Sequence, residues 1–199
     1  KKAEESLYQS YNMSPNTHTA RFLHTALIKQ DDFDNGVKFA ENHLKENPDD
    51  TVIRLMLANQ LLERQLPSAI EHFEYLALNT FPSSPLVLNN LAWLLVENNR
   101  EKEAIPYVKE ALEILPDNPT ILATAGNTYT SLGEYDQAIV MLKSAFDKAP
   151  SSFEIGLDYV KALHKSGNND YAKIIFEKLA PTTSDQQQDA SALYKQLEE

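Results

Sequence analysis

Apolar residues along this chain recur at helical spacing. Leu88, Leu91, Ala92 and Leu95 stand at i, i+3, i+4 and i+7, positions that share one face of an α-helix. Ala104, Tyr107, Val108, Ala111 and Leu112 repeat the pattern, and the polar stretch Glu97-Asn98-Asn99-Arg100 separates the two runs. Side chains able to accept from free backbone N–H groups mark helix starts at Asp49, Ser83, Asn118 and Ser151, with Pro85 and Pro119 near the first turn. The pattern predicts antiparallel helix pairs, each ended by a proline that cannot continue a helix.

These pairs repeat. Ala104 and Ala138 lie 34 residues apart, each followed seven residues later by alanine (Ala111, Ala145) and five further on by proline (Pro116, Pro150). The same column continues forward to Ala172 and backward, at steps of 33 to 35, to Ala69, Gly36 and Ala3. Pro15 and Pro48 keep the proline column, and Pro82 is displaced by one residue. Small residues at fixed places predict close helix crossings, where a bulky substitution costs about 1–3 kcal/mol.

The columns resemble the tetratricopeptide repeat, with Gly126, Tyr129, Gly133, Ala138, Ala145 and Pro150 in its characteristic places. That resemblance implies an all-α, right-handed superhelical solenoid of antiparallel helix pairs. The expected division is the second helix of a truncated repeat (1–15), then repeats at 16–48, 49–82, 83–116, 117–150 and 151–181. A linker and capping helix at 182–199 complete it, with Asp189–Glu199 as the cap and the native C-terminus. A solenoid needs such a cap with a polar outer face. The half repeat at the start suggests a cut from a longer array, leaving Leu7, Tyr8 or Tyr11 exposed to pair with a neighbouring molecule. Monomer and dimer through that helix both stay open.

Composition narrows the function. Lys plus Arg number 18 against 29 Asp plus Glu, a net charge of −11, so the basic stripe of a nucleic-acid binder is missing. The longest apolar run, Leu91 to Val96, falls far short of the ~20 residues of a bilayer span, so no direct membrane insertion of this segment is expected. There are no cysteines, hence no disulfide or thiolate. Nucleophile-elbow, zincin, Walker and dinucleotide-binding patterns are all missing. The histidines are His18, His24, His43, His72 and His164, and His18 and His24 fall on different faces of one helix. No enzyme activity, metal site or cofactor is predicted.

A protein or peptide partner is expected instead. In the repeat, the first helices line the concave side, and places 2, 5, 9 and 12 point into the groove. That assigns Leu86, Asn89, Trp93 and Val96 in one repeat, Thr120, Ala123, Asn127 and Thr130 in the next, and Glu154, Leu157, Lys161 and His164 in the last. Arg21 lines the first full repeat, and Asn59 the second. Asn59, Asn89 and Asn127 form a row with Trp93 in the middle. An asparagine amide can donate to and accept from an extended backbone, and tryptophan is enriched in binding hot spots. The other reading of the same residues is that Trp93 caps the inter-repeat core and the asparagines are solvated. Thr120 and Thr124 stand where the family's carboxylate-clamp repeats carry Lys and Arg, so that chaperone-binding mode is not expected.

A narrower resemblance rests on Leu-Asn-Asn-Leu-Ala-Trp (88–93), Leu-Pro-Asp-Asn-Pro-Thr-Ile-Leu (115–122) and Lys-Ala-Leu-His-Lys-Ser-Gly (161–167). These are similar to the C-terminal repeats of bacterial tetratricopeptide lipoproteins of the PEP-CTERM/exosortase system, which implies an exopolysaccharide-associated envelope scaffold. The chain departs from that group at Ala123–Tyr129. A periplasmic, outer-membrane-anchored setting is then favoured over a cytoplasmic one. A docking segment of a larger enzyme and a cytosolic assembly adaptor are the alternatives.

Overall fold

A computed structural model describes residues 2–29 and 32–198. These form twelve α-helices and no strand, in two compact units, Lys1–Pro82 and Ser83–Glu199. The first contains α1 (Lys2–Met13), α2 (Thr17–Lys29), α3 (Phe33–Glu46), α4 (Thr51–Glu63) and α5 (Ala69–Asn79). The second contains α6 (Pro85–Glu97), α7 (Glu101–Ile114), α8 (Pro119–Ser131), α9 (Tyr135–Lys148), α10 (Phe153–Lys165), α11 (Asn169–Phe176) and α12 (Ser184–Glu198).

In the second unit each helix pairs with the next (α6 with α7, α8 with α9, α10 with α11), and α6, α8, α10 and α12 also lie side by side in one row. Leu88, Leu91 and Leu95, the α6 stripe, are buried, each contributing roughly 1.5–3 kcal/mol relative to exposure. The alanine column explains how close the pairs come. Ala69, Ala104, Ala138 and Ala172 are all fully buried; the side chain of Ala3 lies outside the described residues. Gly126 is tighter still, since a Cβ there would fall 2.3 Å from Leu142 Cγ.

One turn recurs at the 34-residue period. Gln65, Asn99, Gly133 and Gly167 all have positive φ, at 54°, 57°, 77° and 82°. At each, the following N–H reaches back five residues: Leu66 to Leu61, Arg100 to Leu95, Glu134 to Tyr129 and Asn168 to Leu163. This left-handed C-terminal motif satisfies carbonyls that the ending helix leaves free.

Two local expectations are corrected. The helix caps fall on Asp50, Ser84 and Ser152, one residue after the expected Asp49, Ser83 and Ser151, while Asn118 keeps its place. From those positions each side chain reaches the N–H three residues on: Ile53, Val87, Ile121 and Ile155. The last helix starts at Ser184, not Asp189. Thr183 Oγ1 accepts from Gln186 N, and Gln186 Oε1 accepts from Thr183 N, a reciprocal capping box that starts a helix within a polar stretch.

The first unit carries a polar network through its first four helices. Tyr11 Oη lies 2.8 Å from His43 Nδ1, and His43 Nε2 lies 2.9 Å from Asp50 Oδ2, which also accepts from Thr17 Oγ1 at 2.7 Å. Burial pushes the Asp50 carboxyl up, but the bonds from Thr17, His43 and the Ile53 N–H outweigh it and hold the group below its ordinary value. Tyr11 is half-buried against Phe39, ring centroids 4.9 Å apart, and Tyr8 meets the same ring. The expected exposure of Leu7, Tyr8 and Tyr11 is therefore corrected to half-burial, with Phe39 of α3 packed on both tyrosine rings.

Candidate functional site

The row α6, α8, α10 and α12 defines the candidate surface, and its openness alternates by place. Leu86, Thr120 and Glu154 are exposed. Four residues on from the helix start, Asn89, Ala123 and Leu157 are buried, at 6%, 7% and 5% exposure. Neighbouring first helices lie side by side, so a side chain aimed at the neighbour is covered while those flanking it stay open. At the third place Trp93 and Asn127 are half-buried and Lys161 is exposed; at the fourth Val96 and His164 are half-buried and Thr130 is buried.

Several of the predicted residues are engaged within the fold. Asn127 Nδ2 donates to Asp158 Oδ2 at 2.6 Å, tying α8 to α10. Lys161 Nζ stands 3.6 Å from Asp158 Oδ1. Burial pushes the Asp158 carboxyl above the usual carboxylate value, and the pull of Asn127 and Lys161 does not fully offset it. Gln186 Nε2 donates to Glu154 Oε1 at 2.7 Å, a second amide–carboxylate bond, which joins α12 to α10. Asp158 was not singled out from sequence; its only signal is an acid set between the apolar residues Leu157 and Tyr159.

Thr130 was expected in the groove but is buried, and its hydroxyl donates to the Gly126 carbonyl at 2.8 Å. Asn89 was expected at the surface and is likewise buried. In the first unit, Asn59 on α4 and Arg21 on α2 are both exposed, and the Arg21 guanidinium sits 5.5 Å from the Phe22 ring centroid. The row of three asparagines thus divides, with Asn59 in the first unit and Asn89 and Asn127 on adjacent helices of the second.

A cavity of about 190 Å³ opens between the first turns of α6 and α8, with Pro85, Leu86, Leu115 and Ile121 on its apolar walls and Asn89, Asn118 and Thr120 as its polar ones. Among the described residues no group of three or more His, Asp or Glu could hold a metal ion. His24, His43 and His72 are buried singly, and His164 Nδ1 lies 2.9 Å from Asn169 Oδ1. No helix of the described residues is long and apolar enough to cross a membrane.

Comparison with known proteins places this geometry. The profile of the tetratricopeptide repeat family matches residues 96–142 and 129–197. The anaphase-promoting complex subunit CDC16 of Saccharomyces cerevisiae is 29% identical over 109 residues, which is 51% of this chain and 13% of that protein. A tetratricopeptide repeat protein from Parabacteroides merdae has a similar structure, with TM-score 0.75 and 16% identity over 98% of this chain and 84% of the other. YrrB, described as a TPR protein with an unusual peptide-binding site, aligns at TM-score 0.69 and 16% identity over 96% and 99% of the two chains. PilW, a type IV pilus biogenesis factor, aligns at TM-score 0.71 and 20% identity over 92% and 86%.

Proposed function

The chain belongs to the tetratricopeptide repeat family, a fold of protein–protein interaction scaffolds, and from that premise we propose that its second unit grips an extended segment of a protein partner along α6, α8 and α10. The observation that carries this reading is Trp93. It stays half-buried in a helix whose Leu91, Ala92, Leu94 and Leu95 are all buried, so part of its surface is left for a partner to cover. Asn127 on α8, with Asp158 and Lys161 on α10, supplies polar groups farther along the same row of helices. Arg21 and Asn59 offer comparable exposed groups on the first unit. The peptide-binding site in YrrB's description supports the same partner class.

The segment acts as a binding module, not a catalyst, within a longer bacterial envelope scaffold; fractionation of the source organism tests the setting. The net charge of −11 favours neutral or basic partners. Affinity capture from that organism tests the groove, comparing wild type with Trp93→Ala. A partner kept by wild type and lost by the variant is expected. Equal capture by both moves the site off the groove. Acrylamide quenching of Trp93, the single tryptophan, should fall when that partner is added.

A further inference from the structure

The cavity between α6 and α8 has features that the groove does not share, and from them we propose that it is a pocket for one tyrosine side chain of the bound segment. The inference rests on the groove reading only for who supplies the ring. Its volume of about 190 Å³ sets the scale: an engineered apolar cavity of about 150 Å³ holds a benzene ring, so one phenol ring fits. Leu86 at 68% exposure and Leu115 at 42% border the opening as uncovered apolar surface, which the edge of a ring would bury.

The chemistry comes from Asn89. It helps form the wall, it is 6% exposed, and its Oδ1 is buried with no hydrogen-bond partner. An acceptor left unpaired in that way is unfavourable. That oxygen is covered as the side chain stands; the last torsion of an asparagine is broad and two-fold, and a turn of the amide brings the oxygen round to the cavity. A phenol hydroxyl both donates and accepts, and it pairs with whichever end is offered. A phenylalanine ring would fill the space and leave the amide unpaired. An indole N–H only donates. A charged side chain would find no counter-charge, because every lining residue is uncharged.

The test uses the whole chain, 15N-labelled, titrated with p-cresol and with toluene as probes of the tyrosine and phenylalanine side chains. Amide shifts should centre on Leu86–Asn89 and on Asn118, Thr120 and Ile121, with p-cresol about two- to tenfold tighter than toluene, the ratio that one net hydrogen bond supplies. Asn89→Val should level the two affinities while shifts elsewhere stay in place. Thr120→Trp, which leaves α6 untouched and fills the mouth of the cavity, should abolish both. Shifts centred elsewhere, equal affinities in the wild type, a preference that survives Asn89→Val, or p-cresol binding that survives Thr120→Trp each overturn the pocket. Neither probe needs the partner or Trp93. Equal capture by wild type and Trp93→Ala with intact p-cresol binding would count against the groove alone, and Trp93-dependent capture without p-cresol binding against the pocket alone.

Discussion

Replacing Gly126 by alanine would normally strengthen a helix, by about 1 kcal/mol from propensity. Here a Cβ would lie 2.3 Å from Leu142 Cγ, 2.9 Å from Cδ2 and 3.0 Å from Cδ1. Leu142 is fully buried, so it has no solvent to swing into, and the overlap belongs near the top of the usual 1–3 kcal/mol for overpacking. The balance is a net loss of about 1–2 kcal/mol. Leu142→Ala alone opens a cavity and costs about 2–5 kcal/mol, but it removes all three clashing carbons. In that background Gly126→Ala should change sign and stabilise by about 1 kcal/mol, a coupling well above the ~0.5 kcal/mol scatter of independent sites. Urea unfolding followed by the fluorescence of Trp93, in the same unit as both residues, measures the cycle. Gly156→Ala is the control. Its Cβ would meet Leu179 Cδ2 at 2.3 Å and Phe146 Cε2 at 3.1 Å; Leu179 is only half-buried and can give way, and the Phe146 ring need shift only by tenths of an ångström, so the change should cost clearly less than Gly126→Ala. A Gly126→Ala protein at least as stable as wild type, or an additive cycle, would refute the steric account of this column.

Two further outcomes are expected. Burial lowers both His24 and His72 below the ordinary value of 6.5, with Arg54 adding to the effect at His72 while the Gly36 carbonyl and Glu71 oppose it at the two sites. Each stays neutral when folded and takes up a proton when unfolded, so the first unit should hold its full stability above pH 6.5 and lose it as the pH falls, by at most about 1.4 kcal/mol per pH unit per histidine. The raised Asp158 works in the opposite sense in the second unit; residue-resolved urea unfolding at pH 7.5 and 5.5 should show the midpoint of the first unit alone falling, and equal falls in both would refute the assignment. At the recurring turn, Gln65→Gly should stabilise by about 1 kcal/mol and Gly133→Ala destabilise by a similar amount, because only glycine avoids the left-handed penalty at these φ values; thermal melts of both variants check the pair, and shifts of the same sign would refute it.

Much of this protein was legible in its sequence because helices are local. Each helix pair follows from apolar spacing, the turn between its helices from a polar stretch, and the close crossings from one small residue every 34 positions. The 34-residue period also makes each unit an independent test of the others. Thr183 and Gln186 carried a readable start signal for the last helix, and its three-residue reciprocity is what an apolar-first reading passes over. Cap placement needed finer geometry, since two adjacent acceptors, such as Asp49 and Asp50, look alike until one side chain is seen to reach the Ile53 N–H.

The candidate surface depended on tertiary structure, because exposure of a first-helix side chain is decided by the neighbouring first helix, about 34 residues away in the chain. Asn89 and Thr130 share a face with Trp93 in the periodic pattern, yet the packing of adjacent helices buries both and leaves Trp93 half-open. Asp158 acquired its role only from the approach of Asn127 across α8 and α10. The cavity beside Asn89 joins residues as far apart as Pro85 and Ile121. Sequence by itself determined the helices, their pairing and their repeat, since these rest on contacts within a few turns of chain. Which polar groups pair with one another, and which stay free for a partner, was decided only when the repeats stacked.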